Sequence, residues 1–220
     1  MIEHGGRGAY DCNDRRYRLG FGIGTLVEAF ATEVAPDAVL AGFVAQLAQE
    51  TGEGTYLAAR RGVELVLLTS SLGWHAVQPA TSVTGILPDP HARASGKVAF
   101  AFTPSATRTE FIRAHQPLRA CTASTITDPD ELEREFEQIR GQGYALSREE
   151  VAEGVSTMAA PIDEGVSPYV FALSAPKARF ETNFDEYLKS LLRIATDASM
   201  THVKENAGLD TPELPQEGDR

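Results

Sequence analysis

The β-rich runs of this chain come in neighbouring pairs rather than singly between helices, and this pairing constrains the fold more than any other feature. Residues 55–60 and 63–69 flank Arg61-Gly62, and residues 155–162 and 169–174 flank a turn over Asp163-Glu164-Gly165. Antiparallel strands close through a few turn residues, whereas parallel strands need a crossover of about a dozen or more. Helical patterns separate the pairs, without the even βαβ rhythm of a parallel sheet. The expected class is therefore α+β, one antiparallel sheet with helices packed on it.

The helices are legible from their apolar spacing. From Pro36 onward Val39, Leu40, Phe43, Val44 and Leu47 recur every three or four residues, and Gly52 suits a left-handed helix end. Short helices are expected over 95–102 and 105–115. In 128–140 Asp128 serves as N-cap, Pro129 fits the first helical position, and Glu131 completes a capping-box pattern. Leu132, Phe136 and Ile139 form its buried stripe, and Gly141 and Gly143 end it. Further strands are expected over 75–83 and 144–147, and a last amphipathic helix over 183–202. Residues 7–19 read as a hairpin around Cys12-Asn13-Asp14, and a connecting helix is expected over 24–34.

With 220 residues, 42% of them hydrophobic, the chain can bury a substantial core. No apolar run of about eighteen residues appears, and Met1-Ile2-Glu3-His4-Gly5-Gly6 lacks the basic start and apolar core of a signal peptide. The expectation is a soluble cytoplasmic protein without a membrane partner. Cys12 and Cys121 form no CxxC motif and are expected to be reduced. A net charge of −11 argues against this chain alone gripping nucleic acid. The cluster Arg7, Arg15, Arg16 and Arg18 is a local exception.

Chemistry-bearing motifs are sparse. Ser95-Gly96-Lys97 is not a phosphate loop, because His91 and Val98 stand where that pattern needs Gly and Ser or Thr. What remains is a helix start rich in small residues, where backbone N–H groups and the helix dipole suit an anion. No GxSxG elbow is present, Ser70 and Ser71 have no evident base, and His75, His91, His115 and His202 are scattered. No metal or cofactor is expected. Glu149 and Glu150, adjacent on an extended segment, are expected to point to opposite faces and be solvated. Trp74 is expected as a pocket wall or a core residue. An enzyme using Ser95 or Cys121 as nucleophile lacks a placed base, so no catalytic residue is assigned.

Together His91-Ala-x-Ala-Ser-Gly-Lys97, Thr125-Ile-Thr-Asp-Pro129, Leu132 to Ile139 followed by Arg140-x-x-Gly-Tyr144, Ala159-Ala-Pro161 and Leu173-Ser-Ala-Pro176 resemble the effector-binding domain of IclR-type bacterial transcriptional regulators. The order holds over about residues 20–202. Arg16-Tyr-Arg-Leu-Gly20 is similar to the place where that family's winged DNA-binding domain meets its linker helix. The resemblance implies a wing-like hairpin remnant over 1–20, a linker helix over 21–35, an effector-binding domain over 36–203 and a disordered acidic tail over 204–220. It implies a GAF-like fold, a curved antiparallel sheet with helices, and self-association as dimers or tetramers. DNA would be read only by a helix-turn-helix domain that these residues do not contain. The implied partner is a small organic acid or aromatic carboxylate. Its carboxylate would lie at Ala94 and Ser95, facing Ser147, Thr157, Ala172 and Ser174, with Val77, Ala80 and Val155 as apolar wall. The family often has an acid where Ser147 stands and a cysteine where Thr157 stands.

Overall fold

A computed structural model describes residues 2–4, 8–11, 16–19, 24–25, 38–79, 85–163 and 168–208, with side chains of the C-terminal part described as far as Thr201. The chain divides into two units, residues 1–36 and 37–220.

In the first unit β1 (Ile2–His4), β2 (Gly8–Asp11) and β3 (Arg16–Leu19) form an antiparallel sheet, with Tyr10 opposite both Ile2 and Tyr17. The hairpin expected over 7–19 is present as β2–β3, and β1 was not foreseen. The Cys12–Asp14 turn lies outside the described residues, as does most of the expected connecting helix, of which Gly24 and Thr25 are helical.

The second unit begins with α1 (Ala38–Thr51), which buries Leu40, Val44, Leu47, Ala48 and Thr51. Gly52 closes it at φ 72°, its N–H donating to Ala48 O at 2.9 Å. β4 (Gly54–Arg61) and β5 (Glu64–Ser71) follow as the expected hairpin, and β6 (Gly85–Ile86) pairs with β5. After α2 (Ala94–Ala101), α3 (Ser105–Ala114) and α4 (Pro129–Gln142) come β7 (Ala145–Arg148), β8 (Val155–Pro161) and β9 (Tyr169–Pro176). α5 (Lys177–Thr182) and α6 (Phe184–Gly208) end the described chain. The sheet order is β6-β5-β4-β9-β8-β7, antiparallel at every pairing, and a register shift between Leu57 and Ala58 bends it.

Strand alternation sends successive side chains to opposite faces. Tyr56, Ala58, Ala145, Ala159, Val170 and Ala172 share one buried cluster with Ala94, Val98 and Phe100 of α2, Phe111 of α3 and the α4 stripe Leu132, Phe136 and Ile139. Each large apolar side chain so buried contributes about 1.5–3 kcal/mol of transfer free energy. Helices α1 and α6 pack on the other face, where Leu57, Phe171 and Leu173 are also fully buried. In α4 the cap is as expected, with Asp128 Oδ1 accepting from Glu131 N at 2.8 Å, but Gly141 lies inside the helix and Gly143, at φ 83°, ends it.

Two expectations are corrected. Residues 75–79 are not strand: the Gln78 amide donates to Gly73 O and His75 O at 2.8 and 2.7 Å and accepts from Gly73 N, closing a loop where a ladder was expected. The last helix begins after a separate short α5 and its backbone continues to Gly208, into the segment expected to be disordered.

Candidate ligand-binding site

Register puts Ser147 opposite Thr157, Thr157 opposite Ser174, and Ser174 opposite Gly54, so three hydroxyls from β7, β8 and β9 form one row on the face covered by α2. Thr157 Oγ1 and Ser174 Oγ lie 2.9 Å apart and share a hydrogen bond. Above this row a turn at Pro90–Ala92 leads into α2. The approach is close: a Cβ on Gly96 would stand 2.0 Å from Pro90 O, so only glycine fits there.

Between sheet and helix start lies a cavity of about 230 Å³, lined by Tyr56, Leu67, Pro79, Leu87, Arg93, Val151, Ala152, Val155, Thr157 and Ser174. At ~30 Å³ per liquid water it has room for about eight waters, enough for one small ligand. Of the residues expected from sequence, Val155, Thr157 and Ser174 line it. Ser95 is fully buried one bond behind, its Oγ 3.0 Å from Tyr56 Oη. Ser147 Oγ donates to Ala92 O at 2.8 Å, fastening the turn before α2. Ala94 and Ala172 sit in the core cluster, Ala172 paired with Tyr56 in the ladder. Val77 is 67% exposed, and its carbonyl accepts from Arg179. Ala80 lies outside the described residues.

Sequence reasoning missed Tyr56 and Arg93. Tyr56 shares the buried face of β4 with Ala58, so the period-2 alternation carried the signal. Arg93 occupies the unspecified position of His91-Ala-x-Ala-Ser-Gly-Lys97 and precedes α2 in extended conformation, without a side-chain cap. Its Nε donates to Pro88 O at 2.7 Å, and among the described residues no carboxylate pairs with its guanidinium. Burial pushes the Tyr56 hydroxyl above its ordinary value, with Ser95 and the Arg93 charge opposing. Tyr56 therefore stays a neutral hydroxyl that can donate or accept.

The cavity wall is braced from below. Lys97, 1% exposed, places Nζ 2.5 Å from Glu150 Oε1 and 3.3 Å from Leu146 O. Thr122 Oγ1 donates to Glu149 O and Thr125 Oγ1 to Glu150 O, each at 2.6 Å. Glu149, at φ 59°, accepts from Gly154 N and pairs with Lys177. The expectation that both glutamates are merely solvated is thus corrected, because the left-handed turn at Glu149 ends strand alternation and drives Glu150 inward. Burial raises the Glu150 carboxyl, outweighing the Lys97 charge, and Glu150 Oε2 has no hydrogen-bond partner. These bonds fix the 149–154 loop that carries Val151 and Ala152 to the cavity.

Immediately before β4 the fully buried Glu53 carboxylate accepts from Arg179 Nε and Nη2 at 2.6 and 2.9 Å and from Tyr187 Oη at 2.9 Å. Burial, together with Glu53, pushes the Tyr187 hydroxyl up to about 12. Trp74 is neither pocket wall nor core: it is 69% exposed, with its indole N–H donating to Gln49 O at 3.3 Å. Burial pushes the Cys121 thiol up, away from a nucleophilic thiolate. His91 Nε2 bonds Arg119 O at 3.0 Å, and its buried Nδ1 meets no hydrogen-bond partner among the described residues. Among the described residues no group of three His, Cys, Asp or Glu is placed to hold a metal ion. None of the described helices is long and apolar enough to cross a membrane. A second depression, about 720 Å³, opens between α4 and α6 and includes Phe102, Arg140, Leu192 and Met200.

The unit is thus a bent antiparallel sheet with helices on both faces and a small, partly open cavity at a helix start. The chain belongs to the IclR family: the domain described as bacterial transcriptional regulator IclR C-terminal matches residues 35–200. Curated relatives that it matches are named as transcriptional or operon regulators. The probable transcriptional regulator SauR of Cupriavidus necator is 29% identical over 195 residues, 86% of this chain and 72% of SauR. The chain spans about half the length of several other curated relatives. Among solved structures, the Thermotoga maritima IclR superposes with a TM-score of 0.72 at 28% identity, over 89% of this chain and 79% of that one. An IclR homologue from Microbacterium hydrocarbonoxydans, complexed with 4-hydroxybenzoate, shares the fold with a TM-score of 0.69 at 24% identity, over 89% and 79% of the two chains.

Proposed function

We propose that the cavity under α2 is the effector site of a cytoplasmic transcriptional regulator and takes a small organic acid or aromatic carboxylate. The carrying observation is a partly open cavity whose polar lining residues are Tyr56, Arg93, Thr157 and Ser174, the last two sharing a hydrogen bond. Val155, Thr157 and Ser174 touch the ligand. Ala94, Ser95 and Ser147 hold the helix start above it, Ala172 packs beneath Tyr56, and Val77 lies on the segment that leads to the Pro79 wall. That a related fold is complexed with an aromatic hydroxy acid supports this reading. In it, β1–β3 are the wing of a DNA-binding domain, and ligand occupancy biases how that domain is presented in a dimer or tetramer.

Thermal-shift and calorimetric screening of small carboxylates tests the site. The expectation is saturable binding, abolished by Ser174→Phe, which fills the cavity. Binding that survives Ser174→Phe, or no binder among the acids, contradicts it. The net charge of −11 favours a second reading, a sensor that acts through a partner without touching DNA itself. Sequence-specific electrophoretic retardation at low salt by this chain alone would exclude that reading.

A further inference from the structure

Resting on the effector-site reading, we infer that Arg93 is the specificity-determining residue of this cavity, and that the arrangement selects a monoanionic acid bearing a neutral oxygen at its far end over a diacid or an uncharged analogue.

Arg93 is the one charged side chain among the described lining residues, and none of them is acidic. Among the described residues no carboxylate pairs with the Arg93 guanidinium, unlike Arg179, Arg108 and Arg193, each of which meets a carboxylate oxygen within 2.6 Å. Arg93 Nε is tied to Pro88 O. That tether fixes the plane of the guanidinium while leaving its terminal nitrogens for an oxyanion, the geometry in which arginine is superior to lysine. The Tyr56 hydroxyl lies within electrostatic reach of the same charge and stays protonated, so it adds a neutral donor to that corner.

The rest of the lining carries no second cation. Leu67, Leu87 and Val155 supply apolar contact, and the remaining polar groups are the Thr157 and Ser174 hydroxyls. Their mutual hydrogen bond uses one hydroxyl proton and leaves one proton and lone pairs for a ligand oxygen. A hydroxyl or keto oxygen is satisfied by such a pair. A second carboxylate is not, because an ion moved from water to a site without counter-charge loses its hydration uncompensated. The two polar regions thus ask for unlike groups.

Calorimetry with three probes of matched size tests this: 4-hydroxybenzoate, uncharged 4-hydroxybenzamide and dianionic terephthalate. Wild-type protein, Arg93→Gln and Arg93→Lys are compared at one ionic strength. The expected result is that the amide and the diacid bind wild type at least tenfold more weakly than the hydroxy acid. Arg93→Gln should lose about tenfold or more for the hydroxy acid while leaving the amide unchanged. Arg93→Lys should keep part of the lost affinity, and the unliganded melting temperatures of all three proteins should agree. That pattern is not produced by a structural role through Pro88. Equal affinity of Arg93→Gln and wild type for the hydroxy acid, or equal affinity of wild type for acid and diacid, overturns the inference and leaves the effector site standing. Failure of wild type to bind 4-hydroxybenzoate or any acid of the wider carboxylate screen overturns both.

Discussion

Two arginines of this domain stand in opposite circumstances. Arg179 meets the fully buried Glu53 carboxylate with two nitrogens and shares it with Tyr187. Arg93 borders a cavity and meets only a carbonyl. The first network is closed: the carboxylate is answered from within, and the arginine also grips Val77 O, fastening the 73–79 segment. The second is open, its charge met by no carboxylate among the described residues. A closed network contributes to the fold, and an open one is available to a ligand.

The largest expected effect breaks the closed side. Arg179→Ala leaves the buried Glu53 with Tyr187 and with His75 Nε2 at 3.8 Å, and costs about 3 kcal/mol in urea denaturation, while Arg93→Ala changes unliganded stability by less than about 1 kcal/mol. Comparable losses from both would erase the distinction. Next comes Gly96→Ala, whose methyl group meets the Pro90 carbonyl and forces the turn off α2. A loss of about 2 kcal/mol is expected, together with loss of ligand binding.

A smaller effect is expected at Glu150. Burial raises its carboxyl in the folded state, so the unfolded chain releases that proton first. Its contribution to stability is therefore greatest below the ordinary carboxylate range and declines as pH rises through it. Glu150→Gln keeps an oxygen for Lys97 and should flatten that part of the stability–pH curve. An unchanged slope would show that Glu150 titrates normally. The smallest effect sharpens the open side: Thr157→Val removes one neutral hydroxyl and should weaken a hydroxy acid about threefold, leaving the unsubstituted acid unaffected.

Much of this was legible in the sequence where a residue's role is local. The α4 cap and stripe, the β4–β5 turn at Gly62 and the β8–β9 pairing follow from spacing and turn chemistry alone. Thr157 and Ser174 were named through the family resemblance, and antiparallel register brings them together. Roles decided by tertiary contact were not legible. Residues 75–79 have strand-like composition, yet Gln78 and Arg179 hold them as a loop. Glu150 turns inward because Glu149 adopts a left-handed backbone and Lys97 waits below. Arg93 gave no signal, since a lone arginine in a loop reads as solvated until a cavity is seen beside it.

The central claim, that the small cavity under α2 is where the ligand acts, is tested most directly by amide chemical-shift mapping of the ¹⁵N-labelled protein titrated with 4-hydroxybenzoate. The account predicts saturable shifts concentrated at Ser95, Gly96, Thr157 and Ser174, with the α4–α6 depression around Arg140 and Met200 unmoved. Shifts concentrated at Arg140 and Met200, with Thr157 and Ser174 silent, would contradict it.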